Sequence, residues 1–87
     1  MSVDRAGDRI DVRMGNLGYD EASGKIARWL KAVGDTVERG EPLLEVETDK
    51  ATIEMESLEA GTLVAIIHGD GADVPVGDVI GVVERRA

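Results

Sequence analysis

The chain has 87 residues, enough for one small domain, and it lacks cysteine, which excludes disulfide frameworks, thiolate nucleophiles and zinc–thiolate sites. Its formal net charge of −8 argues against nucleic-acid and anionic-membrane partners, because those surfaces bind clustered Lys and Arg. Neither a targeting segment nor an apolar run of about 18 residues is visible, so we expect no signal peptide and no membrane span.

Short alternating segments predict β-strands along most of the chain. Residues 10–14 alternate apolar and polar side chains, as expected of a strand with one buried face. Residues 24–33 have apolar side chains at helical spacing, so this segment alone leaves helix and strand open. Clear alternation returns in residues 44–48 and 51–56, and turn signals separate the segments.

An internal repeat relates the two halves of the chain. Residues 24–47 align with residues 61–84 without a gap, at a constant shift of 37 positions. We expect the glycines that coincide to be turn glycines, at positions that need positive φ or close approach; they are Gly24 with Gly61, Gly34 with Gly71, and Gly40 with Gly77. Because the second copy begins with a short β-branched segment bounded by glycines, both copies are predicted to be strands.

The repeat predicts an all-β fold, a flattened β-barrel or sandwich of two small antiparallel sheets with pseudo-two-fold symmetry (a barrel-sandwich hybrid). With no Phe, one Trp and one Tyr, the core must be mainly aliphatic. We expect the domain to occupy residues 10–84, between a flexible tail at 1–9 and a tail or linker start at 85–87. The isolated domain is expected to be monomeric.

A hairpin at residues 43–57 lies between the two copies, with Asp49 and Lys50 at its tip. Asp suits a turn because its carboxylate can accept a hydrogen bond from the backbone two residues later. A tip that only had to turn would favour Asn-Gly or Asp-Gly. This tip instead presents a primary amine between two acidic arms. The residues alone leave open a solvated turn and a special role for Lys50.

The sequence EVETDKATIEME, residues 45–56, resembles the lipoyl-attachment hairpin of lipoyl domains in the acyltransferase components of 2-oxoacid dehydrogenase complexes, of the pyruvate type. The resemblance extends over residues 10–84 and includes glycines at the family's spacing, Gly34 and Gly61. It departs at Gly15, where the family usually has Pro. The resemblance implies that Lys50 is amidated by lipoic acid, forming a swinging arm that reaches roughly a dozen Å.

The resemblance implies a non-catalytic carrier domain whose parent chain is a dihydrolipoyl acyltransferase. Its arm would accept an acyl group at a thiamin diphosphate-dependent 2-oxoacid dehydrogenase and pass it to coenzyme A at the acyltransferase catalytic core. An FAD-containing dihydrolipoyl dehydrogenase would reoxidise the arm, and a lipoate-protein ligase or lipoyl transferase would attach it. The expected compartment is the bacterial cytoplasm or the mitochondrial matrix.

Recognition by the ligase and by partner enzymes is expected, from the same resemblance, around the lysine. Glu47 would be an acidic determinant, and Thr48, Asp49 and Ala51 would flank the site. The surface loop 16–25 would help a dehydrogenase distinguish its own carrier through Asn16, Leu17, Gly18, Asp20 and Glu21. A solvated turn is the alternative for this loop.

Other functions fit the sequence less well. A biotin acceptor domain normally has Met on each side of its lysine, whereas this chain has Asp49 and Ala51. The lipoyl-bearing aminomethyl carrier of glycine cleavage is longer and has extra helical segments. His68 is the only histidine and lacks ligands at metal spacing, so no metal site is proposed. An unmodified interaction domain remains open, and no nucleophile–base set supports an enzyme.

Overall fold

The structure is a computed structural model that describes residues 8–15, 17 and 22–85. In this part of the chain it contains eight β-strands. The strands are β1 (Arg9–Arg13), β2 (Ser23–Trp29), β3 (Thr36–Val37), β4 (Pro42–Glu47), β5 (Thr52–Glu56), β6 (Gly61–Ile66), β7 (Asp73–Pro75) and β8 (Val79–Arg85). Within the same residues, no helix is long and apolar enough to cross a membrane.

The strands form two four-stranded antiparallel sheets that face each other. One sheet has the order β1-β8-β6-β3 and the other the order β5-β4-β2-β7. Each sheet takes two strands from each half of the chain, so the halves interlock rather than form one sheet each. The prediction of an all-β sandwich is confirmed, and the segment with helical apolar spacing begins as strand β2.

The two sheets are related by the predicted pseudo-two-fold symmetry. Exchanging β1–β4 for β5–β8 converts one sheet order into the other. Backbone hydrogen bonds repeat in the same way, since Gly34 N–H donates to Leu63 O and Gly71 N–H donates to Ile26 O, both at 2.7 Å. The structure extends the repeat to β1 and β5, which the sequence alignment missed because the β1–β2 connection is longer than the β5–β6 connection.

The core consists of apolar side chains that come mostly in symmetric pairs. These pairs have relative exposures of 2% or less and are Ile26 with Leu63, Val37 with Val74, Leu43 with Ile80, and Val46 with Val83. Met14, Leu17 and Leu44 are also buried in this cluster. In β1 and β5, exposed polar side chains alternate with less exposed apolar ones and so lie on the outer faces of the two sheets.

The six repeated glycines are of two kinds. Four of them adopt positive φ, as expected for turns: Gly34 (100°), Gly40 (84°), Gly71 (89°) and Gly77 (96°). The prediction of turns is wrong for Gly24 and Gly61, which lie in strands β2 and β6. Both are buried positions where another part of the protein approaches closely. A Cβ on Gly61 would overlap the carbonyl oxygen of Glu84 in the neighbouring strand.

The first and last described residues meet at the end of the sandwich opposite Lys50. Arg85 N–H donates to Asp8 O at 2.6 Å, and the Arg85 side chain contacts the carboxylates of Asp8 and Glu59. Glu59 follows β5 at the end away from the β4–β5 turn. Since the five residues of β5 span roughly 17 Å, Lys50 lies at least about that far along the sandwich from the place where the two ends meet.

Candidate functional site

The β4–β5 turn presents Asp49 and Lys50 as a two-residue tip, as the sequence predicts. Glu47 and Thr52 are the last paired residues of the two strands. Beyond them, Thr48 N–H donates to Ala51 O at 2.8 Å and closes the hairpin. The chain therefore reverses within Asp49 and Lys50, and both residues are exposed.

A side-chain hydroxyl organises this turn. Thr48 Oγ1 accepts hydrogen bonds from the backbone N–H groups of Lys50 and Ala51, each at 3.2 Å. The same hydroxyl donates to Ala51 O at 3.1 Å. The Ala51 N–H, two residues after Asp49, donates to this hydroxyl and not to the Asp49 carboxylate, which could accept such a bond in a turn. Sequence reasoning missed this role of Thr48.

The amine of Lys50 is accessible to another protein. Among the described residues, none forms a hydrogen bond or ion pair with its Nζ, and the residue is exposed. Lys31 differs, since its Nζ lies 2.6 Å from Glu41 Oε2. Most described arginines are likewise paired, for example Arg28 with Glu45 at 3.1 Å. A primary amine at an exposed tip can be acylated without breaking an existing interaction.

A polar hollow of about 380 Å³ lies beside the tip. It is lined by Ser23, Gly24, Lys25, Glu47, Thr48, Asp49 and Asp73. Lys25 on β2 pairs in register with Glu47 on β4 and with Asp73 on β7. The sequence placed Glu47, Thr48 and Asp49 near Lys50. The sequence did not predict that Lys25 and Asp73 lie beside the tip, because only the strand register places them next to Glu47.

Leu17 has a different role from the one expected. Its side chain is only 7% exposed and belongs to the core, so it anchors the β1–β2 loop rather than facing a partner. Gly24 leaves the space for it, since a Cβ there would lie 2.7 Å from Leu17 Cδ1 and 2.6 Å from Val46 Cγ1. The other loop residues expected in recognition lie outside the described residues: Asn16, Gly18, Asp20 and Glu21.

The described residues contain no group of three or more His, Cys, Asp or Glu side chains that could hold a metal ion. The backbone carbonyl of His68 accepts a hydrogen bond from Trp29 Nε1 at 2.8 Å, which fixes the indole of Trp29 at the edge of the core.

The chemistry available at the tip is that of one exposed amine, Lys50, with two acidic neighbours, Glu47 and Asp49.

Comparison with known proteins connects this geometry to a family. The Biotin_lipoyl family, described as biotin-requiring enzyme, matches residues 10–83. An acetyltransferase component of the pyruvate dehydrogenase complex (dihydrolipoyllysine-residue acetyltransferase) from Corynebacterium glutamicum is 53% identical over 74 residues, which are 85% of this chain and 11% of that protein. A mitochondrial component with the same activity, from Arabidopsis thaliana, is 49% identical over 73 residues, or 83% of this chain and 14% of that protein.

A solved structure shows the same fold. The lipoyl domain of the 2-oxoglutarate dehydrogenase complex from Azotobacter vinelandii superposes with a TM-score of 0.73 at 28% identity. The alignment covers 90% of this chain and 99% of that domain. By contrast, the chain spans less than a fifth of the length of the two acetyltransferase components. The similarity therefore concerns one domain of those longer proteins.

Proposed function

We propose a lipoyl-carrier function for this chain, which belongs to the Biotin_lipoyl family. In this proposal Lys50 is the residue that carries lipoic acid, and the sandwich presents it to other enzymes. The observation that carries the proposal is the position of Lys50, exposed at a two-residue tip with no side-chain partner among the described residues. An amine in this position is available both to the enzyme that modifies it and to the enzymes that later use it.

The residues at the tip fit lipoic acid attached through an amide. The Lys50 amine supplies the nitrogen of that amide, and no described side chain has to move to expose it. Once attached, lipoic acid supplies a disulfide that takes up an acyl group with two electrons and passes both on. The chain itself closes the tip with the Thr48–Ala51 backbone hydrogen bond, keeps the arm on an exposed apex and offers acidic side chains, Glu47 and Asp49, for recognition.

Lipoic acid is favoured over biotin as the modification. Asp49 and Ala51 flank the lysine, whereas a biotin acceptor would have Met at both positions. The named relatives support the same choice, since the two acyltransferase components and the solved domain are all described by lipoyl chemistry. Glu47, Asp49 and Ala51 are proposed to be read by the lipoate-protein ligase.

The partners follow from the carrier role. They comprise a thiamin diphosphate-dependent 2-oxoacid dehydrogenase, an acyltransferase core that uses coenzyme A, and an FAD-containing dihydrolipoyl dehydrogenase. The described chain ends meet opposite Lys50, so a linker from either end would leave the tip free to enter an active site. A flexible tether would hold the arm at an effective concentration on the order of millimolar near each partner.

The modification is tested by expressing the chain with a lipoate-protein ligase or with a biotin ligase and measuring intact masses. The chain has three lysines, Lys25, Lys31 and Lys50. We expect one lipoyl increment on the wild type and on the control Lys31→Arg, and none on Lys50→Arg. An unmodified wild type would overturn the proposal, and modification by the biotin ligase alone would establish the biotin alternative.

The dehydrogenase that uses the arm is tested by reductive acylation of the lipoylated domain. The identity to the two acetyltransferase components leads us to propose the pyruvate complex. We expect faster acylation by a pyruvate dehydrogenase with pyruvate than by a 2-oxoglutarate dehydrogenase with 2-oxoglutarate. The opposite order would assign the domain to the 2-oxoglutarate complex and leave the carrier role intact.

A further inference from the structure

We propose that Thr48 is a positioning residue for Lys50, acting through the turn rather than by contact with a partner. This inference rests on the proposed function, because it concerns how the same lysine is presented for lipoylation. Its basis is the set of hydrogen bonds that the Thr48 hydroxyl makes inside the tip.

The hydroxyl is fully used within the turn. A Thr hydroxyl has one proton to donate and two lone pairs that can accept. Thr48 Oγ1 donates its proton to Ala51 O at 3.1 Å and accepts from the N–H groups of Lys50 and Ala51 at 3.2 Å. No hydrogen-bonding capacity is left for a ligase, so its contribution is made through the backbone of Lys50 and Ala51.

The symmetry of the fold separates this role from ordinary strand pairing. Thr48 N–H donates to Ala51 O at 2.8 Å, and at the opposite end of the sandwich Arg85 N–H donates to Asp8 O at 2.6 Å. These two bonds occupy equivalent positions, and the second exists where no turn joins the strands. The backbone bond alone therefore closes the strand pair. The hydroxyl bonds act on the residues beyond it, one of which is Lys50.

The composition of the tip explains why the turn needs the additional hydrogen bonds of the Thr48 hydroxyl. Two-residue hairpin turns usually rely on Asn or Gly, which accept positive φ at low cost. Asp49 and Lys50 offer no glycine, and the lysine is set by the function. Fixing the N–H of Lys50 and of Ala51 from one side chain holds the base of the lysine in one orientation. Thr48 thus narrows the set of tip conformations that a ligase would otherwise have to select.

The test measures lipoylation kinetics of the whole 87-residue chain by a lipoate-protein ligase, with the concentration of unmodified chain varied. Thr48→Val replaces the hydroxyl by a methyl group of similar size, Thr48→Ser keeps the hydroxyl, and Thr52→Val is the matched control on the next strand. Losing these bonds should lower the population of the competent turn about 5- to 30-fold, so KM rises by that factor while kcat is unchanged. Thr48→Ser and Thr52→Val should keep the wild-type KM.

Amide hydrogen exchange of the unmodified chain distinguishes positioning from direct contact. In Thr48→Val we expect faster exchange at the Lys50 and Ala51 amides and unchanged exchange in the core strands. A raised KM with unchanged exchange would mean that the ligase contacts the hydroxyl, and it would overturn the inference. A wild-type KM for Thr48→Val would also overturn it.

The design also distinguishes a variant that fails to fold, a failure of the proposed function and a failure of the role of Thr48. Should Thr48→Val not fold, Thr48→Ala removes the same hydroxyl with a smaller side chain, and the same KM increase is expected. Failure of the wild type to be lipoylated would refute the proposed function itself. A lipoylated wild type with an unaffected Thr48→Val would refute only the role assigned to Thr48.

Discussion

Substitution of Gly61 by Ala tests whether the close approach of β6 to β8 holds the sandwich together. A Cβ at this position would overlap Glu84 O and lie 2.9 Å from Glu84 C and 3.0 Å from Arg85 Cα, all backbone atoms of β8. Because no side chain can rotate away, β6 and β8 must separate where Gly61 pairs with Arg85. Overpacking of about 1–3 kcal/mol and the loss of one or two ladder bonds at about 1 kcal/mol each give a destabilisation of about 2–5 kcal/mol.

That loss is a large fraction of the stability of a domain this small, about 4–13 kcal/mol. The thermal midpoint, measured by circular dichroism, should fall by at least about 8 °C, at 4–8 °C for each kcal/mol. The matched control is Gly69→Ala, where a Cβ meets nothing within 4 Å. Equal midpoints for Gly61→Ala and wild type would refute the close packing of β6 against β8.

Three further changes test other parts of the structure. Gly69→Ala should raise the thermal midpoint by a few degrees, because its symmetric counterpart is Ala32 and removing a glycine from the unfolded chain gains about 0.4–1 kcal/mol; a lower midpoint would contradict the ordinary backbone found there. Gly24→Ala should destabilise less than Gly61→Ala in the same scans, because the atoms in its way belong to side chains that can move, Val46 and Leu17; an equal loss would contradict this difference. Glu41→Gln should lower the free energy of unfolding, measured in urea, by a constant amount near neutral pH. The hydrogen bond from Lys31, and after it the hydrogen bond from the Glu38 N–H, lower the pKa of Glu41. The hydrogen bond to Glu41 raises the pKa of Lys31. The stability that ionised Glu41 contributes is complete above its unfolded pKa of about 4.3 and is lost as pH falls through the lower pKa of the folded chain. The stability that charged Lys31 contributes is complete below its unfolded pKa of about 10.4 and is lost as pH rises through the higher pKa of the folded chain. A difference that persists at pH 2 would contradict this assignment.

The repeat made most of the fold predictable from sequence. Aligning the two copies resolved the helical spacing around Trp29, because the second copy could only be a strand. It also identified the core pairs, since Ile26 aligns with Leu63 and Leu43 with Ile80, and all four side chains are fully buried. The apolar residues repeat at the same positions in both copies because symmetric halves must bury equivalent faces.

Other features depended on distances that the sequence does not display. The equivalence of β1 and β5 was hidden by the longer β1–β2 connection. The neighbours Lys25 and Asp73 reach the tip through strand register, which also contains an irregularity between Ile26 and Arg28.

At the tip itself, the sequence located Lys50 but not the hydrogen bonds of the Thr48 hydroxyl that organise the turn. A Thr before Asp-Lys in a β-rich segment is typical of a strand end, so the residue pattern does not indicate a role for its hydroxyl. The resemblance alone places Leu17 in recognition, whereas the side chain is buried in the space left by Gly24. Hydroxyl geometry and burial are properties of the folded chain, which is why the residue pattern could not supply them.

The central claim is that Lys50, and no other lysine, carries the lipoyl group. It is tested most directly by proteolysis and fragmentation mass spectrometry of the chain after incubation with a lipoate-protein ligase, ATP to activate the carboxyl group, and lipoic acid. We expect the whole increment on the peptide containing Lys50, located at that residue by the fragment ions. An increment at Lys25 or Lys31, or an unmodified Lys50 peptide under conditions that lipoylate a known lipoyl domain, would contradict the account.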